Sequence, residues 1–217
     1  MAGATGLVGT QLLALLLADK RYAAVHCVGR RAPSVRHAKL HAHSVNLSAF
    51  DAPEQLAKLG LPPLDDVYIA LGTTIKVAGS HAAFRAVDFY AVTATARAGL
   101  AWGASNLGVV SAMGANAASR IFYNRVKGEM EAELLQLGYA HSVIARPSFI
   151  EGHRAALGQA GRSGEGLALV AMRFLKPLLP ANYRSVAATQ VARALHAQVP
   201  SGNVGVQLML SGALHKY

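Results

Sequence analysis

The feature that most constrains the fold is a regular alternation of short apolar runs with longer amphipathic segments along the 217 residues. Apolar runs of four or five residues bounded by turn residues are typical of strands buried on both faces, and the intervening segments are long enough for helices. Repeated strand–helix units form a parallel sheet with helices on both sides. The pattern therefore predicts an α/β fold with a doubly wound parallel sheet, and the length fits a single domain over residues 1–217.

The same pattern locates the individual elements. Strands are expected at residues 24–28, 43–47, 67–71, 107–111, 142–145 and 204–210, and the main helices at 10–18, 82–98, 120–137 and 186–198. In a sheet of this kind, ligands bind at the carboxyl ends of the strands. The residues that follow each strand are therefore the first candidates for a functional site.

A glycine loop opens the chain, with Gly3, Gly6 and Gly9 at a spacing that is typical of a dinucleotide site. The first glycine permits a tight turn, the second lets the backbone approach a pyrophosphate, and the third allows close helix packing. Amide groups at the start of the following helix then bind the anion. An ordinary turn into a helix is the alternative. The predicted loop contacts are Gly3, Thr5, Gly6, Leu7, Val8 and Gly9.

Only Met1 and Ala2 precede this loop, where a dinucleotide fold has a buried strand of five or six residues. That strand is central and pairs with two neighbours. Its loss would remove apolar burial and ladder hydrogen bonds comparable with the whole stability of a domain, about 5–15 kcal/mol. We therefore expect the functional chain to start upstream of Met1.

Two arginines, Arg30 and Arg31, follow the strand expected at residues 24–28. An acidic residue there would bind the 2′-hydroxyl of NAD, whereas arginines accept the 2′-phosphate of NADP. The pair therefore favours NADP(H), with solvated surface charge as the alternative. Further cofactor contacts are predicted for Asn46 at the adenine, and for Leu71, Gly72, Thr73 and Thr74 at the pyrophosphate and ribose.

Tyr123 and Lys127 lie one helical turn apart, and Ser111 lies twelve residues upstream of the tyrosine. A phenol is a poor acid at neutral pH, but a lysine at i+4 favours the phenolate and makes proton transfer feasible. The hydroxyl of Ser111, at the end of a strand, would donate to a substrate carbonyl. The spacing also occurs by chance in amphipathic helices, yet its position after a strand of a dinucleotide fold favours a catalytic role.

Two further groups of residues flank this site. Arg146, Pro147 and Ser148 follow the strand at 142–145, where proline fixes the turn and the backbone can face the nicotinamide. Glu129, Glu131 and Glu133 are expected to pair with basic residues on the exposed face of the helix at 120–137, where they would be solvated.

Composition limits the partners and the compartment. The net charge is +10, but the basic residues are scattered without interleaved aromatics, so no nucleic-acid partner is expected. The apolar run at residues 12–18 is shorter than the roughly 20 residues of a membrane span. A single cysteine, Cys27, cannot form an internal disulfide, which favours the cytoplasm. His37, His41 and His43 lack carboxylate or cysteine partners, so no metal site is expected.

These motifs together resemble the atypical short-chain dehydrogenase/reductases, and within them the Tat-interacting oxidoreductase-like proteins. The resemblance rests on GATGLVG at 3–9, LGTTIKVAGS at 71–80, FRAVD at 84–88, VSAMGA at 110–115, FYNRVKGE at 122–129 and ARPS at 145–148. It implies an NADP-binding Rossmann-like domain, catalytic roles for Ser111, Tyr123 and Lys127, and a small cap within residues 152–217. It also allows a homodimer through the helices at 82–98 and 120–137. Ala112 stands where relatives often have a second serine.

The leading hypothesis is therefore an NADP(H)-dependent reductase or dehydrogenase acting on a small carbonyl or alcohol. A dinucleotide-sensing protein that regulates a partner is the second hypothesis, because some members of the resembled subgroup act as interaction proteins. Sugar-nucleotide epimerisation is third, because the cap is small. The glycine-rich stretch at residues 158–166 is predicted to be a mobile loop, and no motif in the cap names a substrate.

Overall fold

A computed structural model of the chain describes residues 1–47, 50–152 and 180–217. The strands are β1 (Val25–Gly29), β2 (Leu40–Ser44), β3 (Asp66–Ile69), β4 (Asn106–Val110), β5 (His141–Arg146), β6 (Ile150–Glu151), β7 (Val186–Ala187) and β8 (Gly205–Leu210). The helices are α1 (Leu7–Ala18), α2 (Pro53–Leu59), α3 (Ile75–Ala78), α4 (His81–Arg85), α5 (Val92–Ala101), α6 (Phe122–Gln136), α7 (Ala188–Gln198) and α8 (Ser211–Leu214). A π-helical turn, Ala86–Ala91, joins α4 to α5, and a 3-10 turn covers Ala181–Tyr183.

The main sheet is parallel throughout its described strands, which confirms the predicted fold class. Strand β1 pairs with β2, while β3, β4, β5 and β8 pair in that order. Helices α1 and α7 pack against one face, where Leu12 and Leu195 are fully buried. Helices α5 and α6 cover the other face, where Val92 and Met130 are fully buried. The carboxyl ends of the strands therefore meet at one edge of a two-faced sheet.

Met1 and Ala2 occupy the central position of this sheet. Ala2 bridges Val28 of β1 and Ile69 of β3 in parallel, and its N–H and C=O bond to the backbones of Tyr68 and Ala70 at 2.8 and 2.9 Å. The carbonyl of Met1 also accepts from the Val28 N–H at 2.9 Å, so Met1 and Ala2 join β1 to β3. A cavity of about 290 Å³ lies beside Met1, between the first halves of β1 and β3.

Two elements differ from the predicted ones. Strand β2 runs from Leu40 to Ser44 and not over 43–47, because its register is set by pairing Leu40 with Val25, and its sequence, with polar residues on an exposed edge, carries little strand signal. The helix expected at 82–98 begins at His81, capped by the Ser80 hydroxyl at 3.1 Å, and is interrupted by the π-helical turn. The interruption turns Asp88 into the protein interior.

Some expectations fall on residues that the structure does not describe. The glycine-rich stretch at 158–166 and most of the expected cap, residues 153–179, lie outside the described residues. The described part of residues 152–217 comprises the 3-10 turn, β7, α7, β8 and α8. Strands β6 and β7 pair in a short parallel ladder apart from the main sheet.

Histidines cluster on the β1–β2 edge of the sheet. The His26 ring stacks on those of His41 and His43, with centroids 4.9 and 5.3 Å apart. Burial first, then the nearby charges of His41, His43 and the amino group of Met1, lower the pKa of His26 to about 4, and burial also lowers the pKa of His43. Among the described residues, no group of three or more His, Cys, Asp or Glu side chains could hold a metal ion.

This cluster predicts a loss of stability in mild acid. A folded-state pKa below the unfolded value of 6.5 means that the unfolded chain binds more protons, so stability falls as the pH drops from about 6.5 towards 4. We expect the unfolding free energy to fall by roughly 1–2 kcal/mol over this range, the ring being only partly buried. Urea titrations at several pH values would measure it. The decrease should shrink in His26→Gln and persist in His37→Gln, an exposed control; equal decreases in both variants would contradict the assignment.

Candidate functional site

The glycine loop lies at the carboxyl edge of the sheet, between β3 and α1. Gly3 has a left-handed backbone conformation (φ 83°), and a Cβ there would lie 2.5 Å from the backbone of Ala70. A Cβ on Gly9 would overlap the carbonyl oxygen of Gly3. Glycine is thus required at both positions, because the loop folds back on α1 with no room for a side chain.

The start of α1 has the properties of an anion site. Its N-cap is Gly6, which has no side chain and so cannot supply a side-chain hydrogen bond to the helix amides. No acidic residue lies in its first turn either. The amides of Leu7, Val8 and Gly9 are in this first turn, where the helix dipole favours a negative group. A glycine cradle leading into an uncapped helix therefore fits the pyrophosphate of a dinucleotide.

The predicted adenosine contacts follow β1 and β2 at the carboxyl edge of the sheet. Arg30 and Arg31 follow the last residue of β1 and are exposed. Asn46 lies two residues beyond the end of β2 and is also exposed. Arg30 and Arg31 come after β1, which pairs with Ala2 just before the glycine loop, and Asn46 comes after β2, the next strand out. Their position is compatible with a 2′-phosphate and an adenine, and these contacts remain a prediction.

The loop after β3 joins the glycine loop to the second half of the site. Thr74 caps α3 by accepting from the Val77 N–H at 3.1 Å. The Thr73 N–H donates to Oδ2 of Asp88 at 2.9 Å. Gly72 is exposed, and a Cβ on it would face Asp88 and Lys127 at 3.6 and 4.0 Å. Leu71 is half-buried and packs into the core. The loop lies close to Lys127 because Gly72 and Thr73 lie against Asp88, the ion-pair partner of that lysine.

Lys127 is buried in an ion pair that the sequence analysis did not anticipate. Its side chain is 3% exposed, and Nζ lies 2.7 Å from Oδ1 of Asp88, which is fully buried. Among the described residues, Oδ1 has no well-angled hydrogen-bond donor, so the contact is governed by charge. Burial alone lowers the pKa of Lys127, but Asp88 first, then Tyr123 and Glu131, outweigh it and raise that pKa. Lys127 is therefore an ammonium group in a nearly dry site.

Tyr123 lies one turn before Lys127 on α6 and is half-buried. Its ring packs against that of Phe84 with centroids 5.4 Å apart, which fixes the side chain against α4. The negative charge of its phenolate form contributes to raising the pKa of Lys127. The helix therefore presents a partly exposed phenol next to a buried cation, as the spacing of the two residues predicts.

Ser111 is the first residue after β4, and its hydroxyl is engaged within the protein. It donates to Oε1 of Glu131, which also accepts from Nε of Arg146 at 3.0 Å. Glu131 is 3% exposed, so the expectation that it is a solvated surface residue is wrong. The reason is helical periodicity, because Glu131 follows Tyr123 and Lys127 at i+4 steps and shares their inward face. Glu129 and Glu133 do pair on the outer face, with Arg85 and Arg97.

The turn after β5 is tied to the protein rather than open. Arg146 is paired with Glu131, and Pro147 is buried with its carbonyl accepting from the Met113 N–H at 2.9 Å. The N–H of Ser148 donates to Oγ of Ser211 at 2.8 Å, and its hydroxyl donates to the Arg184 carbonyl. A nicotinamide contact by this turn stays a prediction, and it cannot use the N–H of Ser148 without breaking that bond.

Two buried carboxylates, Asp88 and Glu131, are the site residues that the sequence analysis missed. Asp88 is a lone acid in the apolar run VDFYAV. Such an acid lies either on the exposed surface of a helix or in the interior, where it is paired with a cation. Glu131 is flagged by its i+4 spacing from Lys127. Both signals require knowledge of the partners, which come from distant parts of the chain.

The chain matches no protein-family model. It is 34% identical over 177 residues to the mitochondrial protein fmp52 of Aspergillus fumigatus, covering 81% of this chain and 72% of that one. It is 30% identical over 206 residues to FMP52 of Coccidioides immitis, covering 89% and 82%. For FMP52 of Candida albicans the identity is 32% over 152 residues, and the aligned part spans 70% of this chain and 66% of that protein.

Solved structures support the fold. A short chain dehydrogenase family protein from Francisella tularensis superposes with a TM-score of 0.69 at 12% identity, covering 100% of this chain and 97% of that one. The Bordetella bronchiseptica enzyme WbmH, in complex with NAD+, superposes with a TM-score of 0.68 at 15% identity, covering 99% and 76%. At these identities the likeness shows the Rossmann-type fold.

The comparisons also correct one expectation. The single cysteine favoured the cytoplasm, but the matched FMP52 proteins are named mitochondrial, so the cytoplasmic assignment is wrong. Cysteine content reports a reducing environment and cannot distinguish two reducing compartments. Across the described residues, the structure has no helix of the length and apolar character needed to cross a membrane.

Proposed function

The chain belongs to the FMP52 family, and we propose that it is an NADP(H)-dependent oxidoreductase acting on a small carbonyl or alcohol. The observation that carries this proposal is that a half-buried phenol, Tyr123, lies one helical turn from the buried ammonium group of Lys127, beside the loop that follows β3. In a dinucleotide fold this edge of the sheet is where the cofactor binds. We also propose a mitochondrial location, from the names of the relatives.

The residues that would hold the cofactor are those of the glycine loop, the first turn of α1 and the loop after β3. The uncapped amides of α1 suit the pyrophosphate, and the exposed Arg30 and Arg31 suit a 2′-phosphate. Lys127 has its charge beside Gly72, where ribose hydroxyls could accept from it. The bound nicotinamide would supply hydride transfer.

The protein's own contribution is the proton. Tyr123 would donate its phenolic proton to the carbonyl oxygen as negative charge develops there, and the ammonium of Lys127 would stabilise the phenolate that remains. In the reverse direction the phenolate would accept the proton of an alcohol. Ser111 would assist by donating to the same oxygen, which requires its hydroxyl to turn away from Glu131.

A dinucleotide-sensing protein is the second candidate, and one observation favours it. The hydroxyl of Ser111 is held by Glu131, so in this arrangement it does not point to a substrate. Such a protein would bind the cofactor without turnover, and its interaction with a partner would change when the cofactor is bound. We also propose that the chain belongs to the subgroup of Tat-interacting oxidoreductase-like proteins and that it forms a homodimer through residues 82–98 and 120–137.

The experiment that separates the two candidates is NADPH oxidation against a panel of small aldehydes and ketones. We expect turnover with at least one carbonyl class, together with NADPH binding in calorimetry. NADPH binding without turnover across the panel would favour the sensor, and the absence of NADPH binding would contradict both.

Cofactor choice is testable through the two arginines. We expect the double variant Arg30→Gln/Arg31→Gln to bind NADPH about tenfold or more weakly, which is about 1.4 kcal/mol, because a charge-assisted contact with the 2′-phosphate is lost. NADH binding should change little. Lys20→Gln, an exposed cation just beyond the far end of α1, is the matched control. Calorimetric titration with both nucleotides measures the effect, and equal losses for NADPH and NADH would contradict the 2′-phosphate role.

A further inference from the structure

Asp88 is the buried group that contacts both halves of the candidate site. Oδ1 lies 2.7 Å from Nζ of Lys127 on α6, and Oδ2 accepts from the Thr73 N–H at 2.9 Å in the loop after β3. The residue is fully buried, so neither contact is screened by water. A single carboxylate therefore links the helix that carries the phenol to the loop at the cofactor edge.

The backbone around Asp88 is also unusual. It lies in the π-helical turn Ala86–Ala91, between α4 and α5. Such turns are rare inside helices and occur frequently at functional sites, where they direct one side chain out of the normal helical register. Here the turn directs an acid into the interior, against Lys127.

A purely stabilising role is a poor explanation for this pair. Removing two charges from water costs about as much as their attraction returns, and apolar residues of similar volume often serve stability equally well. A buried pair in a candidate proton-transfer site instead fixes the charge state and the position of one member. For Lys127, burial alone would favour the neutral amine, which could not stabilise a phenolate.

We propose that Asp88 is a positioning residue that holds Lys127 charged and fixed against the loop after β3; its catalytic meaning rests on the proposed oxidoreductase function. The charged and titratable groups facing Lys127 are Asp88 from the π-helical turn and Tyr123 and Glu131 from α6. Glu131 cannot replace Asp88, because its carboxylate is already bound by Ser111 and Arg146.

The test is a carbon-13 NMR titration of protein labelled at the lysine ε-carbons, with the Lys127 signal assigned by its loss in Lys127→Met. In the wild type we expect Lys127 to stay charged beyond the ordinary lysine pKa of 10.5. In Asp88→Asn it should titrate below that value, since the amide keeps the shape but not the charge. The matched control is Glu133→Gln, which removes an outward-facing partner of Arg97 on the same helix and should leave the titration unchanged.

Two results would overturn the proposal. One is a Lys127 midpoint that is the same in the wild type and in Asp88→Asn, since a merely structural Asp88 would alter stability without moving that midpoint. The other, which needs only the wild type if the variant does not fold, is deprotonation of Lys127 below 10.5 in the native protein. Neither measurement uses cofactor or substrate, so a failed turnover assay leaves this result unaffected.

Discussion

Tyr123→Phe is expected to lower NADPH-dependent carbonyl reduction by about 10²–10⁴-fold, the usual contribution of a general acid. Only the hydroxyl is removed, because a phenylalanine ring keeps the packing against Phe84. The cofactor site is formed by other residues, so NADPH affinity should change by less than about threefold. Initial rates of NADPH oxidation and calorimetric titration on the same preparations would measure both quantities.

The control for this variant is Tyr90→Phe. Tyr90 is an exposed tyrosine in the π-helical turn, 49% accessible, and its hydroxyl has no role in the proposed chemistry. It should retain the wild-type rate. Undiminished turnover in Tyr123→Phe would show that another group supplies the proton, and the role assigned to α6 would then be wrong.

Gly9→Ala is expected to cost at least about 3 kcal/mol of unfolding free energy and to abolish dinucleotide binding. The added methyl would overlap the carbonyl oxygen of Gly3, and a backbone atom cannot move aside as the end of a side chain can. Relief would require α1 to separate from the loop, and α1 carries Leu12, Leu13 and Leu16 into the core. Urea unfolding at neutral pH gives the free energy directly.

Gly6→Ala distinguishes packing from cofactor approach. The nearest atom to a Cβ on Gly6, the carbonyl oxygen of Gly3, lies 3.4 Å away, so this substitution should cost less than about 1 kcal/mol. It should nevertheless weaken dinucleotide binding, because the methyl would occupy the space that the pyrophosphate needs. A Gly9→Ala protein as stable as Gly6→Ala would contradict the geometry of the loop.

The fold was predictable because its signals are local. The strand–helix alternation predicts a parallel sheet. The spacing of Gly3, Gly6 and Gly9 predicts a tight turn into a helix from a stretch of about ten residues. Strand β2 was misplaced by three residues because LHAHS has little apolar content, and its position follows from pairing with β1. Local pattern thus gives the architecture, while register depends on partners elsewhere in the chain.

The site was only partly predictable for the same physical reason. The i+4 relation of Tyr123 and Lys127 is a property of one helix and can be read directly. The burial of Asp88 and Glu131 arises from contacts between segments at least 15 residues apart, such as Asp88 with Thr73 and Glu131 with Arg146. The hydroxyl of Ser111 is directed by Glu131, twenty residues away, which no local pattern reveals.

The most direct test of this account is a crystal structure of the protein with NADP+ bound. We expect the pyrophosphate at the start of α1, the 2′-phosphate against Arg30 and Arg31, and the nicotinamide ribose within hydrogen-bond reach of Lys127 with the Tyr123 phenol beside the ring. A complex in which the dinucleotide binds elsewhere, or in which that phenol is turned away from the nicotinamide, would contradict it.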